Sequence, residues 1–231
     1  MSGLVYGILW VLVRVSAAIL FRYKVEGALP RTGGVLVAAN HASYVDIPLL
    51  GCGMKRRAWY LGRNDLFPVP VLNGILQRLG WIPLRPGRLD REAFGKAISL
   101  IQAGKVVVIF PEGRRSHDGH LRQPKSGIGV IVSQTGCPVV PAYLKGTFDV
   151  LPTGARWPRF RQVTVKLGEP LTFESGTSWS SLCLKGDEKV TIRGLQGDLK
   201  PRQTLTAEIV TGDGALRLRG RGAGRLAASR G

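Results

Sequence analysis

The sequence predicts an α/β fold in which helices flank a central mixed, largely parallel sheet. Two patterns lead to this prediction. Short apolar runs of strand length alternate, over residues 22–171, with segments that carry helical spacing or helix-start signals. Such alternation is typical of parallel strands joined by crossover helices. The supply of apolar side chains agrees with a packed core, because 44% of the 231 residues are hydrophobic.

The strand candidates are short, and several are continuously apolar, as expected for strands that are covered on both faces of a sheet. The run GGVLVAAN at 33–40 is opened by glycines, and VVVIF at 106–110 is the clearest strand of the chain. The predicted strands are 22–30, 33–40, 58–62, 81–85, 106–110, 137–146 and 161–171.

The clearest helix is predicted at 90–104, where apolar residues recur at helical spacing and Gly104 ends the pattern. A helix start near Ser43 is indicated by Pro48, which lies close to its first turn. Two further helices are predicted, at 66–80, where prolines interrupt the first part, and at 126–136.

Residues 4–21 are almost wholly apolar and predict a membrane-associated helix. Their length approaches the roughly 20 residues that span a bilayer. Arg14 lies in the middle, where a charge costs about 2.5–3.5 kcal/mol to insert. A helix lying in the interface would let Arg14 reach the headgroups and would seat Tyr6 and Trp10 there. Spanning and lying on the bilayer both stay open, and a buried core helix is the alternative.

The composition changes after about residue 175, where Gly, Ser and charged residues dominate. We therefore divide the chain into the apolar helix at 1–21, an α/β domain at 22–175 and an atypical basic tail at 176–231. The tail is expected to form a small β unit or to remain disordered.

The charge balance calls for an anionic partner, because 33 Lys and Arg against 15 Asp and Glu give a net charge of +18. Nucleic acid, an anionic membrane surface and a phosphorylated substrate are the three candidates. Nucleic acid is disfavoured, because the basic residues are dispersed and aromatic residues make up only 7% of the chain. An anionic membrane attracts each nearby basic residue by about 1 kcal/mol.

The three cysteines, at positions 52, 137 and 183, have no paired short spacing. We therefore expect neither a disulfide scaffold nor a zinc site, and reduced, cytosolic thiols instead. No metal is expected elsewhere either, because His117 and His120 lack a nearby set of ligands.

Two polar clusters directly follow predicted strands, where chemistry in α/β sheets collects. In the first, His41 and Asp46 suit a general base, because a carboxylate fixes the tautomer of an imidazole and stabilises its protonated form. The second, FPEGRRSHDG at 110–119, combines a glycine turn with two arginines and suits a phosphate. Arg85 and Lys125 could converge with Arg115 on the same anion. Taken singly, such residues are more often helix caps and solvated surface charges.

Together these clusters resemble the glycerolipid, or lysophosphatidate, acyltransferase family. Residues 40–46 (NHASYVD) match the N-H-x4-D signature of that family, and 110–116 (FPEGRRS) match its F-P-E-G-T-R-S block. Arg114 stands where the family commonly has threonine. The resemblance covers roughly residues 20–173, and the segments GWIPLR at 80–85, KSG at 125–127 and VVPAY at 139–143 resemble further blocks in the same order.

The resemblance implies an acyltransferase domain at 22–175 and a reaction that needs no cofactor. His41, oriented by Asp46, would take the proton from the free hydroxyl of 1-acyl-glycerol 3-phosphate. That oxygen would attack the thioester of acyl-CoA or acyl-carrier protein and give phosphatidate, at the cytoplasmic face of the cell membrane. The residues implied in binding the acceptor are Arg85, Glu112, Gly113, Arg115 and Lys125, with Glu112 positioning a hydroxyl or the arginines.

Two alternatives stay open beside this prediction. The acceptor could be another lyso-lipid, such as a lyso-ornithine lipid. The chain could also be a membrane-bound anion-binding protein without catalytic activity.

Residues 179–209 show a second resemblance, to a stretch near the C-terminus of the aconitase family. Such a short stretch cannot make the cluster site of that family, and Cys183 alone cannot bind an iron–sulfur cluster. We therefore expect no aconitase activity, and we interpret the tail as a fused fragment or the product of a rearranged gene.

Overall fold

The computed structural model describes residues 2–63, 70–85, 90–122, 125, 127–172, 177–185, 189–196, 204–208 and 217–220. Each range between 22 and 171 in which a strand or helix was predicted contains one. The start of the predicted helix at 66–80 lies outside the described residues.

Six helices are found in the described part of the chain, and only the short α6 has no counterpart among the sequence predictions. They are α1 (Ser2–Phe21), α2 (Asp46–Gly53), α3 (Pro70–Leu79), α4 (Arg91–Gln102), α5 (Gly127–Thr135) and α6 (Thr147–Val150).

Seven strands form the main sheet, in the order β1-β7-β6-β2-β5-β3-β4. All neighbouring pairs are parallel except β6 and β7, which confirms the predicted mixed, largely parallel sheet. The strands are β1 (Lys24–Glu26), β2 (Val35–Ala39), β3 (Ala58–Arg63), β4 (Trp81–Leu84), β5 (Val106–Ile109), β6 (Val139–Lys145) and β7 (Thr164–Leu167).

The central strand β2 divides its side chains between two hydrophobic cores, because successive residues of a strand point to opposite faces. Leu36 and Ala38 join the core that α4 and α5 cover. Val35, Val37 and Ala39 join the core on the other face, against α2. All five residues of β2 are buried, which explains why the strand reads as a continuous apolar run.

The register of the parallel pairs decides where the chemistry can lie. Val35 of β2 pairs with Val106 of β5, and Ala38 pairs with Ile109. The two strands therefore end side by side, and the segments that follow them leave the sheet at the same edge.

Helix α1 packs against α2 along one side. The indole Nε1 of Trp10 donates to the carbonyl oxygen of Met54 at 3.2 Å, and Nη1 of Arg14 donates to that of Cys52 at 2.9 Å. The predicted placing of these two side chains at lipid headgroups stays a prediction, and in the structure both are hydrogen-bonded to the domain. They bind carbonyl groups at the end of α2, where a helix attracts positive charge. The side chain of Tyr6 lies outside the described residues.

The opposite side of α1 is exposed and apolar. No helix among the residues that the structure describes is long and apolar enough to cross a membrane. The buried side of α1 includes Ala17 and Phe21, so the helix is neither a free segment nor a core helix. Its exposed apolar residues include Ile8, Val11, Leu12, Val15 and Ile19, which recur at three- and four-residue spacing.

The tail contains a second sheet, of four strands that pair antiparallel in chain order. It corresponds to the first of the two predicted alternatives, a small β unit. Of the three cysteines, Cys52 and Cys137 are free and buried. The side chain of Cys183 is not among those that the structure describes. The strands are β8 (Thr177–Lys185), β9 (Lys189–Gln196), β10 (Thr204–Glu208) and β11 (Arg217–Gly220).

Candidate active site

The structure brings the two predicted polar clusters together at one edge of the sheet. His41 follows β2 and Glu112 follows β5, the adjacent strand. The backbone N–H of His41 donates to Oε1 of Glu112 at 2.9 Å, and the N–H of Ser116 donates to the carbonyl oxygen of His41 at 2.8 Å. Residues that are distant in the sequence thus form a single hydrogen-bonded unit.

His41 and Asp46 form the predicted pair. Nδ1 of the imidazole lies 2.8 Å from Oδ2 of Asp46. The same oxygen accepts the backbone N–H groups of Ala42 and Ser43, each at 2.7 Å. Asp46 is 0% exposed, and its other oxygen, Oδ1, is buried without a hydrogen-bond partner in the described part of the chain. Three hydrogen bonds therefore hold the one oxygen that orients His41.

These contacts fix the tautomer and the orientation of the imidazole. An ionised carboxylate only accepts hydrogen bonds, so Nδ1 carries the hydrogen and Nε2 keeps its lone pair. The ring stacks on Phe110, with centroids 4.2 Å apart and planes inclined by 22°. The side chain of His41 is 12% exposed. The ring is thus sheltered but accessible, with Nε2 able to accept a proton.

The loop that carries His41 is anchored on both sides. The side-chain amide of Asn40 exchanges two hydrogen bonds with the backbone of Leu144 in β6, at 3.2 and 2.7 Å. The hydroxyl of Ser43 donates to the carbonyl oxygen of Leu151 at 2.8 Å. The sequence placed Asn40 in the N-H-x4-D motif without giving it a role. Its position directly after a buried strand was the available signal, since a buried amide there needs partners.

Glu112 is buried and holds the two loops together. It is 3% exposed, and its second oxygen, Oε2, accepts the backbone N–H of Arg122 at 3.1 Å. Burial is the main cause that raises the pKa of Glu112 to about 7, against the two backbone hydrogen bonds, which lower it. Both oxygens of Glu112 bind backbone amides. Its predicted positioning of a substrate hydroxyl or of the arginines stays a prediction.

Arg115 and Tyr44 make a contact that the sequence did not indicate. The guanidinium carbon of Arg115 lies 3.4 Å from the centroid of the Tyr44 ring. Nη1 of Arg115 is buried and has no hydrogen-bond partner among the described residues. Because Tyr44 lies between His41 and Asp46 in the sequence, this stacking places a cation beside the loop that carries His41.

Gly113 and Lys125 lie together at the turn before Arg115. Gly113 has a φ of +69°, a conformation that favours glycine. A Cβ atom there would come within 2.9–3.1 Å of the Lys125 side chain, so the lysine passes directly over the glycine. The N–H of Lys125 donates to the carbonyl oxygen of Pro111 at 2.8 Å, while its side chain is exposed.

The described side-chain and backbone contacts of Arg85 are with Glu92 of α4 and with Asp90 directly before it. Arg85 follows β4, which lies two strands from β5 at the same edge of the sheet. Its guanidinium is exposed and lies 3.3 Å from Oε2 of Glu92, while its backbone N–H donates to Asp90 at 2.9 Å. The convergence of Arg85 with Arg115 stays a prediction.

A family model described as Acyltransferase matches residues 22–145, which is more than half of the chain. The chain belongs to the acyltransferase family. The matched range contains the His41–Asp46 pair and the loop of Glu112 and Arg115, and it ends with β6. Among the residues of the chain that the structure describes, no group of three His, Cys, Asp or Glu is placed to hold a metal ion.

Two relatives show how far the similarity of the chain extends. It is 35% identical over 120 residues to 1-acyl-sn-glycerol-3-phosphate acyltransferase BAT2, chloroplastic, of Brassica napus, which is 51% of this chain and 34% of that protein. The crystal structure of the 1-acyl-sn-glycerophosphate acyltransferase from Thermotoga maritima has a TM-score of 0.64 and 29% identity, and covers 75% of this chain and 73% of its own.

A short stretch of the chain is similar to a different enzyme. Forty-seven residues, 20% of the chain, are 85% identical to aconitate hydratase A of Bradyrhizobium diazoefficiens and cover 5% of that enzyme. This finding confirms the resemblance to the aconitase family. The chain thus spans only a small part of aconitate hydratase, and about a third of the Brassica napus acyltransferase.

Proposed function

We propose that the protein is a 1-acylglycerol-3-phosphate O-acyltransferase, which makes phosphatidate for phospholipid biosynthesis from acyl-CoA or acyl-carrier protein. The observation that carries the proposal is the 2.8 Å contact between His41 Nδ1 and Asp46 Oδ2, in a loop that also stacks against Arg115. Membership of the acyltransferase family and the names of the relatives agree with it.

In the proposed reaction His41 acts as the general base. Nε2 takes the proton of the free glycerol hydroxyl while that oxygen attacks the thioester carbonyl carbon of the donor. Asp46 stabilises the imidazolium that forms. When the tetrahedral intermediate collapses, the carbon–sulfur bond breaks, and the departing thiolate takes the proton back from His41. The products are the acylated acceptor and the free thiol of the donor.

Arg115 is proposed to bind the phosphate of the acceptor. Its Nη1 is buried and unpartnered in the described structure, and stacking on Tyr44 fixes the plane of the guanidinium. A fixed guanidinium is well suited to two parallel hydrogen bonds with phosphate oxygens. Lys125, over the turn at Gly113, adds a second positive charge. The reacting hydroxyl and the phosphate of the acceptor would then both lie beside the two loops that carry His41 and Arg115.

The proposed location is the cytoplasmic face of the cell membrane, with α1 lying on the bilayer. The stripe Ile8, Leu12, Val15 and Ile19 is exposed, while the opposite side of α1 binds the domain. An apolar stripe of this kind buries itself at the boundary of headgroups and acyl chains. This arrangement would hold the active site near its lipid substrate.

The test is an acceptor panel with the purified full chain in detergent, assayed with acyl-CoA and with acyl-carrier protein. We expect phosphatidate formation from lysophosphatidate, and a loss of about 10²–10⁴-fold in turnover for His41→Ala. His120→Ala, which removes an exposed imidazole, is the matched control and should retain activity. Faster acylation of a lyso-ornithine lipid would move the proposal to that acceptor. A wild type that is inert with every pair would favour the non-catalytic anion-binding alternative.

A further inference from the structure

Residues 154–162, which we call the aromatic–arginine loop, present large apolar and cationic side chains to solvent. Trp157 is 82% exposed and Phe160 is 69% exposed. Arg156, Arg159 and Arg161 alternate with them and are also exposed. No acidic residue occurs between Val150 and Lys166. The loop therefore combines exposed aromatic rings with positive charge that no acidic residue of the same segment compensates.

Backbone hydrogen bonds fix the conformation of the aromatic–arginine loop. The N–H of Arg159 donates to the carbonyl oxygen of Val150 at 2.7 Å, and the N–H of Ala155 donates to that of Pro152 at 3.0 Å. At the other end, the N–H of Val163 donates to the carbonyl oxygen of Phe21 at 2.9 Å. Because the backbone is tied at these points, the two rings are held outward instead of folding onto the domain.

The loop continues the surface of α1. Phe160, Arg161 and Gln162 line one concave surface together with Ile19 and Leu20 from the end of α1, and Arg22 completes it. Ile19 and Leu20 are themselves exposed. Apolar surface from two distant segments of the chain is therefore contiguous, with arginines at its border.

The segment that leads into the loop also touches both catalytic loops. The carbonyl oxygen of Leu151 accepts the hydroxyl of Ser43, which lies between His41 and Asp46, at 2.8 Å. The hydroxyl of Thr153 donates to the carbonyl oxygen of Ser116, the residue after Arg115, at 3.0 Å. The position of the aromatic–arginine loop is thereby coupled to the position of the active site.

We propose that the aromatic–arginine loop is a second membrane contact, which binds the anionic surface of a phospholipid bilayer and sets, together with α1, the orientation of the active site to the lipid. Anionic lipids attract arginine side chains, Trp settles at the level of the headgroups, and Phe enters the boundary of headgroups and acyl chains. Continuity with the apolar stripe of α1 favours a bilayer over an acidic protein as the occupant. The proposal goes beyond the acyl transfer itself, since binding can be measured without turnover.

Vesicle sedimentation with the full chain tests the proposal, using phosphatidylcholine vesicles with and without phosphatidylglycerol. R156Q/R159Q/R161Q removes three charges from the loop, and W157S/F160S removes its rings. The matched control, R91Q/K96Q/K105Q, removes three exposed charges from α4 and the turn after it. Helix α4 covers the face of the sheet opposite to the one that α2 covers. Circular dichroism of each variant checks that it is folded.

We expect the loop arginine variant to lower the partition coefficient on anionic vesicles by about 10²-fold, while the control changes it much less. On vesicles of phosphatidylcholine alone, the ring variant should lose more than the arginine variant. Brominated lipids should quench the wild type more than Trp157→Phe, the difference being the emission of Trp157 at the interface.

Two results would overturn the proposal. One is binding of both loop variants to anionic vesicles as tight as that of the control. The other is unchanged vesicle binding together with a loss of transfer from acyl-carrier protein, which would make the loop a docking surface for an acidic protein. An inactive enzyme that still binds vesicles through this loop would reject the proposed reaction and leave the membrane contact standing.

Discussion

Replacing Asp46 by asparagine tests the charge of the proposed catalytic pair, His41 and Asp46, separately from its geometry. Oδ2 of Asp46 accepts two backbone N–H groups, from Ala42 and Ser43, in addition to Nδ1 of His41. An asparagine amide can accept at that position only through its oxygen. The two backbone donors therefore select the rotamer that still accepts the Nδ1 hydrogen, and we expect His41 to keep its tautomer and orientation.

The cost of Asp46→Asn should then fall mainly on turnover. Two opposite charges about 4 Å apart interact by about 4 kcal/mol at an effective dielectric constant of about 20. Loss of that attraction destabilises the imidazolium that forms in the transition state and corresponds to a drop of up to about 10³-fold in kcat. In the folded state the new NH2 group takes the place of the buried, unpartnered Oδ1, so unfolding should become easier by about 1–3 kcal/mol.

The assay is kcat at saturating lysophosphatidate and acyl donor, with urea unfolding on the same samples. Asp149→Asn, in exposed surroundings on α6, is the matched control and should leave both quantities near wild type. Asp46→Asn should lower kcat in the wild-type background but add little in the His41→Ala background, because Asp46 acts through His41. A fully active Asp46→Asn enzyme, or an equal loss in both backgrounds, would refute the reasoning.

Three further predictions address binding, protonation and the tail. Arg115→Ala should raise KM for lysophosphatidate by about 10–100-fold, with little change for exposed Arg114→Ala; equal KM values would remove the phosphate assignment. Burial raises the pKa of Glu112 from 4.5 to about 7, so the folded state holds a proton that the unfolded state releases. The free energy of unfolding should fall by up to about 3 kcal/mol between about pH 4.5 and 7 in the wild type but not in Glu112→Gln, and parallel urea profiles would contradict this. Truncation after residue 175 leaves the seven-stranded sheet complete and should retain acyl transfer; a folded but inactive product would give the tail a role.

The strands of the sheet could be predicted because a strand that is buried on both faces has a continuously apolar sequence. β2 and β5 are covered on both faces, and both appear in the sequence as uninterrupted apolar runs. The antiparallel direction of β7 relative to β6 has no comparable signal in the sequence. Strands have the same side-chain period whichever way they run, so direction comes from the connection, and here α6 and the aromatic–arginine loop supply it.

The site was predictable in its residues but not in its contacts. The pairing of His41 with Asp46 is local, since both lie within one loop and the first turn of α2. The role of Glu112 depends on the adjacency of β2 and β5, a fact of topology that spacing along the chain does not carry. The same holds for Arg14, whose partner is a backbone carbonyl of another helix.

The basic residues behind the net charge of +18 include two groups in different surroundings. Arg14 and Arg56 are structural, because their guanidinium groups donate to backbone carbonyl oxygens. Arg14 donates to Cys52, and Arg56 donates to the carbonyl oxygens of Pro30, Gly33 and Gly104. The arginines of the aromatic–arginine loop are exposed beside exposed rings. A bilayer can bind exposed arginines and exposed rings at the same time, whereas the guanidinium of a structural arginine is already hydrogen-bonded within the protein. We therefore expect substitutions in the loop to change vesicle binding at nearly constant stability, and Arg56→Gln to do the reverse.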